Sequence, residues 1–74
     1  MTFTLILTNI LKDYAGGRDR LELIPGLTIS EVLEATGIPS ALVAAVFRGD
    51  DLVPKDYQPH DGEMIRLVTI MGGG

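Results

Sequence analysis

The stretch LTISEVLEATGIP, residues 27–39, carries the strongest local signal in the sequence. Thr28 is followed three residues later by Glu31, a spacing typical of a capping box, in which each side chain binds the other residue's backbone amide. Ile29, Val32 and Leu33 recur at helical spacing and give the segment one apolar face. The glycine and proline that follow end the helix, because glycine readily adopts a left-handed conformation and proline blocks continuation. The pattern predicts one main helix over residues 29–36.

Alternating apolar and polar residues predict strands on both sides of this helix. Before the helix, TFTLILT (residues 2–8) and RLELIPG (residues 20–26) alternate, and the glycine-rich segment between them predicts a long hairpin loop. After the helix, ALVAAVFRGDDLVP (residues 41–54) indicates a strand, a turn at residues 49–51 and a short strand. A loop-like segment follows, and EMIRLVTIM (residues 63–71) is strongly β-prone and predicts the last strand.

The predicted order is strand, strand, helix, strand, short strand, strand. A single helix in so short a chain must cover one face of the sheet. A right-handed crossover after the helix, and a last strand with no other apolar partner, place the final strand beside the first. We therefore expect an α+β fold of the β-grasp type, with a mixed sheet of four to five strands and one main helix packed on one face. Residues 1–74 form a single domain, in which residues 72–74 are a flexible glycine tail.

Composition excludes several classes of function. The chain has ten acidic and six basic residues and a net charge of −4, so it lacks the clustered lysine and arginine that nucleic acids and anionic membranes require. It has no cysteine and a single histidine without ligand-spaced partners, so we expect no metal site, no catalytic group and no cofactor. No apolar run is long enough to span a membrane, and the N-terminus lacks the features of a signal peptide. These observations indicate a cytoplasmic protein.

Strand alternation also predicts an exposed apolar patch for a partner protein. If Ala45 and Phe47 face the core, the residues next to them face outward, and Arg66 marks the outward side of the last strand. Contiguous exposed apolar surface often marks an interface. Met71, at the junction between strand and tail, is either a flexible partner contact or simply the last residue of the strand. The candidate partner-binding residues are therefore Ile6, Val46, Val68, Ile70 and Met71.

The sequence closes on LVTIMGGG, residues 67–74. Glycines have no side chains, so such a tail can enter a narrow channel in an enzyme. The carboxylate of Gly74 becomes a good electrophile only after activation, for example by adenylation with ATP. The sequence has no phosphate-binding loop and no basic pocket pattern, so this activation would belong to a partner. The plain alternative is a frayed chain end.

Nearly the whole chain resembles the ubiquitin-like sulfur-carrier proteins of the thiamine (ThiS) and molybdopterin (MoaD) type. The resemblance rests on Gly49 after the third strand, on the segment Leu52-Val-Pro, on Asp61-Gly62 before the last strand, and on the final Gly73-Gly74. The glycine-rich first hairpin is more similar to the molybdopterin type. The tail TIMGGG lacks the proline-containing segment common in that type and is closer to the thiamine type.

The resemblance implies a sulfur carrier that is not itself an enzyme, although a molybdopterin-type carrier is counted as the small subunit of a synthase. An ATP-dependent adenylating enzyme of the ubiquitin-activating type would activate the Gly74 carboxylate, and Gly72 and Gly73 would give access to it. The resulting thiocarboxylate would donate sulfur to a sulfur-accepting synthase that makes thiamine thiazole or molybdopterin. Other sulfur pathways, such as a cysteine or tungsten-cofactor route, stay open. So do a protein modifier joined to lysines through the same tail, and a non-covalent β-grasp binding module.

Overall fold

The computed structural model describes residues 1–69. Its elements, in chain order, are β1 (Phe3–Ile6), a 3-10 helix (Asn9–Ala15), β2 (Arg20–Leu23), α1 (Ile29–Thr36), a short 3-10 helix (Ser40–Leu42), β3 (Val43–Arg48), β4 (Asp51–Val53) and β5 (Met64–Thr69). The predicted order of strands and helix is confirmed, and α1 has the predicted bounds.

The five strands form one mixed sheet in the order β2-β1-β5-β3-β4. β1 and β5 run parallel at its centre, and the other neighbouring pairs are antiparallel. The last strand therefore lies beside the first, as the crossover argument requires. This is the ubiquitin-like β-grasp, with α1 covering one face of the sheet.

The start and the end of α1 have the structure that the sequence predicts. The Thr28 hydroxyl accepts a hydrogen bond from the Glu31 backbone amide at 3.2 Å, and the Glu31 carboxylate accepts one from the Thr28 amide at 2.9 Å. Two amide donors that the helix geometry leaves free are thereby satisfied. At the other end Gly37 has φ 81°, a left-handed conformation that glycine adopts without steric cost.

The core lies between α1 and the inner face of the sheet. Ile29, Val32 and Leu33 are buried from the helix side, and they pack in one cluster with the inward residues of the strands. Burying each such aliphatic side chain contributes roughly 1.5–3 kcal/mol. The strand residues in this cluster are Phe3, Leu5, Val43, Val46, Ile65 and Leu67.

The connection between β1 and β2 differs from the expected open loop. Its middle part is the 3-10 helix Asn9–Ala15, which ends at Gly16 with φ 68°. Leu11, on this helix, is fully buried in the core. The segment therefore closes one end of the core, whereas the sequence predicted only a long hairpin loop.

Candidate functional site

β5 is paired with β1 up to Arg66 and with β3 as far as Thr69, the last described residue. β1 pairs with it through Ile6 opposite Arg66, and β3 pairs with it as far as Val43 opposite Thr69. The Thr8 hydroxyl also donates a hydrogen bond to the carbonyl of Leu67 at 2.9 Å. Whatever follows Thr69 is therefore attached to the best-held strand of the sheet.

Five predicted site residues lie outside the described residues. These are the tail residues and the two that precede them: Ile70, Met71, Gly72, Gly73 and Gly74. Their proposed roles stay predictions.

A row of side chains crosses the helix-free face of the sheet at the middle of β5. Ile6, Arg66 and Phe47 stand opposite one another on three adjacent strands, and Leu52 continues the row on β4. The Arg66 guanidinium carbon lies 5.1 Å from the centre of the Phe47 ring, within range of a cation–π interaction. Leu52 is 68% exposed.

A second row lies closer to the end of β5. Val68 stands opposite Ala45 on the same face, and both are half-buried. Together the two rows form an apolar surface crossed by one arginine. We call this surface the open-face patch and define its apolar members as Ile6, Ala45, Phe47, Leu52 and Val68.

The prediction that Val46 belongs to an exposed patch is wrong. Val46 is 1% exposed and lies in the core. The cause is a bulge in β3: Val43 is opposite Thr69 and Ala45 is opposite Val68, so β3 contains one extra residue at this point. The extra residue inverts the alternation beyond it. Ala45 and Phe47, expected in the core, consequently face the open side.

Sequence reasoning placed Ile6 and Val68 on the outward face correctly but missed Phe47 and Leu52. A signal for these two was present in the hairpin between β3 and β4. Residues 49 and 50 form the turn, with Gly49 at φ 62°, which suits a two-residue hairpin connection. Such a turn pairs residue 48 with 51 and residue 47 with 52, which is the observed register.

A second cluster, on the other face, fixes the long loop between β4 and β5. The Tyr57 hydroxyl lies 2.6 and 2.8 Å from the two carboxylate oxygens of Glu63 and accepts a hydrogen bond from Arg48 at 3.3 Å. The backbone amide of His60 donates to Glu63 at 2.8 Å. The His60 side chain is exposed, as expected for a surface-loop histidine. Tyr57 also packs against the core.

These contacts shift the protonation equilibria of the cluster. Burial alone raises the pKa of Glu63, but the hydrogen bonds from Tyr57 and from the His60 amide outweigh it, and the net pKa is below the ordinary 4.5. Burial, followed by the bond to Glu63, raises the pKa of Tyr57 above 10.0. Hydrogen bonds to Tyr57 and Asp51 raise the pKa of Arg48. At neutral pH Glu63 is thus an acceptor and Tyr57 a donor, so the cluster stabilises the loop.

Residues 1–69 contain no group of three or more acidic or histidine side chains placed to hold a metal ion. In the same part of the chain, no helix has both the length and the apolar composition needed to cross a membrane.

The sequence matches no protein-family model and no curated protein. A similar solved structure is the crystal structure of SAMP1 from Haloferax volcanii, with 19% sequence identity and a TM-score of 0.63. The similarity covers 100% of both chains. At this level of identity the similarity concerns the fold, and it supports the ubiquitin-like β-grasp over the full length.

Proposed function

We propose that this chain is a sulfur carrier whose Gly74 carboxylate is the site of covalent chemistry. The observation that carries the proposal is the position of β5. This strand is held between two neighbours and leads, within three residues of Thr69, into three consecutive glycines. A rigid root followed by residues without side chains suits delivery of a carboxylate into an enzyme channel.

The reaction uses the tail as substrate. In the first step the Gly74 carboxylate attacks the α-phosphorus of ATP, forms an acyl-adenylate and releases pyrophosphate. In the second step a hydrosulfide equivalent, delivered by a partner, attacks the acyl carbon. The C–S bond replaces the C–O bond to AMP, which leaves, and a thiocarboxylate remains. The sulfur is then donated to an acceptor synthase, for which thiamine thiazole and molybdopterin formation are the two routes that the sequence resemblance favours.

The activating enzyme docks on the open-face patch. Val68 lies one residue before the last described residue. An enzyme that binds this patch is therefore also close to the point where the tail leaves β5. The Arg66–Phe47 pair presents a cation on an aromatic ring, which gives the patch one polar contact among apolar ones. In this account the chain is a carrier, and the catalytic groups and ATP site belong to the partner.

Deletion of Gly73 and Gly74 tests the proposal. The variant should fold like the intact chain, because the core and the sheet pairings described above lie within residues 1–69. It should give no adenylate when incubated with ATP and its activating enzyme, measured as pyrophosphate release and as an AMP adduct by mass spectrometry. A Gly73→Ala variant is the control, because it keeps the chain length and the carboxylate.

Two other outcomes would each replace the proposal. Full cellular function of the deletion variant would indicate a non-covalent β-grasp binding module. Adenylation followed by attachment of the chain to lysines of other proteins, with no sulfur transfer, would indicate a protein modifier that uses the same tail.

A further inference from the structure

The pairing between β1 and β5 stops before β5 does. Its last pair is Ile6 opposite Arg66, whereas β5 continues to Thr69. The last three residues of β5 therefore extend beyond the paired part of β1. They lie directly before the segment that leads to Gly74.

The direction of the backbone groups along β5 shows which of them faces β1 beyond this point. Along a central strand, the backbone groups of successive residues point alternately to the two neighbouring strands. The Glu63 carbonyl accepts a hydrogen bond from the Thr4 amide of β1, and the Met64 carbonyl accepts one from the Gly49 amide on the β3 side. By the same alternation, the carbonyl of Leu67 faces β1.

The Thr8 hydroxyl provides the hydrogen bond that this carbonyl needs. It donates to the Leu67 carbonyl at 2.9 Å, two residues beyond the end of β1. Thr8 is at the N-cap position of the 3-10 helix that follows β1. A threonine hydroxyl at such a position commonly accepts a bond from a helix amide, but here it makes no capping bond. The side chain stabilises β5 instead.

The other side of β5 is irregular at nearly the same level. The bulge in β3 interrupts the pairing between Val68 and Thr69. Leu67 is fully buried, so its carbonyl would lose its bond in a buried place if the Thr8 hydroxyl were removed. One hydroxyl therefore supports β5 at the point where regular strand pairing ends on both sides.

We propose that Thr8 is a positioning residue for the chemistry at Gly74. Thr8 acts through the backbone of Leu67 by keeping the end of β5 in the sheet. The five residues after Thr69 span at most about 18 Å, so a shift of Thr69 is passed on to the carboxylate when the tail is extended in an enzyme channel. The inference rests on the proposed function and deepens it, since that function uses only the open-face patch and the tail.

Thr8→Val tests the inference, because valine has the shape of threonine without the hydroxyl. In the free chain, NMR should detect faster amide hydrogen exchange at Leu67. The ratio of its rate to that of Ile65, whose amide also faces β1, should rise by roughly threefold or more. A general loss of stability would leave this ratio unchanged.

The same variant should be a poorer substrate of the host's activating enzyme. The kcat for pyrophosphate release should fall by roughly three- to tenfold, because the carboxylate is misplaced. The KM should change by less than about twofold, because the open-face patch is intact. A higher KM with an unchanged kcat would indicate a role in docking and would overturn the inference, as would an unchanged exchange ratio.

Two control variants separate the hydroxyl from general stability. Thr8→Ser keeps the hydroxyl and should restore both the exchange ratio and kcat to within about twofold of the natural chain. Thr36→Val removes a hydroxyl bond of the same length, 2.9 Å, to the Val32 carbonyl in α1, and should leave both quantities unchanged. An equal fall in kcat for Thr8→Val and Thr36→Val would contradict the inference.

Failure of the inference can be told apart from failure of the proposed function. If the natural chain forms an adenylate and Thr8→Val does so with the same kcat and KM, the proposed function survives and the positioning role of Thr8 is wrong. If the natural chain forms no adenylate at all, the proposed function is wrong and the positioning role is wrong with it, whatever the exchange ratio.

Discussion

Glu63 joins the loop before β5 to the rest of the fold. Its carboxylate accepts bonds from the Tyr57 hydroxyl and the His60 amide, and its side chain is 22% exposed. The same loop also receives backbone bonds from the start of α1, since the amides of Ile29 and Ser30 donate to the carbonyls of Tyr57 and Lys55 at 2.9 and 2.8 Å. One carboxylate therefore helps to hold the segment that leads into the central strand.

This arrangement predicts an acid-sensitive contribution to stability. The pKa of Glu63 is lower in the folded protein than its ordinary 4.5, so the contribution is fully present above that value and is lost as pH falls through the folded-state pKa. Glu63→Gln should therefore show a smaller loss of unfolding free energy than the natural chain between neutral pH and pH below 4.5, measured by urea unfolding. Glu34→Gln, on the exposed side of α1, is the control: its unfolding free energy should change with pH as that of the natural chain does. If the unfolding free energies of the natural chain and of Glu63→Gln changed equally with pH, the cluster would not hold the loop.

Substitutions of Val46 and Val68 test which face of the sheet each side chain occupies. The two valines lie on adjacent strands, but Val46 is buried under α1 and Val68 is half-buried on the open face. Val46→Ala should lower the unfolding free energy by roughly 2 kcal/mol, because it removes two methyl groups and leaves a cavity. Val68→Ala should cost less than about 1 kcal/mol. The reverse order in urea unfolding would mean that the bulge in β3 does not exist.

At the scale of elements, the sequence predicts what local chemistry determines. The capping box at Thr28, the left-handed Gly37 and the apolar face between them define α1 completely. Strand alternation gives the correct faces of β1 and β5, and the crossover argument places these two strands side by side. Each of these features depends on spacings within a few residues or on a general rule of handedness.

The features that were missed depend on partners distant in the chain. The bulge at Ala44 and Ala45 shows only when β3 is set against β5, because small residues leave no alternation to read at that point. The 3-10 helix after β1 is fixed by the burial of Leu11 in a core that the segment itself does not reveal. Both errors have the same physical cause: tertiary packing overrides the local pattern.

The open-face patch gives a prediction at this scale. Val68→Asp should leave the fold intact, because the side chain faces away from the core, and should weaken docking to the activating enzyme by at least about tenfold through a buried unpaired charge. The measurement is calorimetric titration of the enzyme with each chain. Ser30→Asp is the control: it adds the same charge on the exposed side of α1 and should bind like the natural chain. Equal affinity of Val68→Asp and the natural chain would remove the patch from the interface.

The open-face patch is the surface that the proposed function assigns to a partner. It lies on the helix-free face of the sheet and includes Val68, next to the last described residue of β5. With a net charge of −4 the chain as a whole favours partners with basic surfaces. The core cluster holds the strands that carry the patch in one sheet with β5.

The intact mass of the protein purified from its native host tests the central claim most directly. The account predicts a fraction in which one oxygen is replaced by one sulfur, localised to a fragment that contains residues 72–74 and capable of S-alkylation. Alkylation is essential, because oxidation of any of the three methionines adds nearly the same mass. Adenylating enzyme, ATP and a sulfur donor should raise this fraction. A C-terminal fragment that never takes up sulfur or AMP under these conditions would contradict the account.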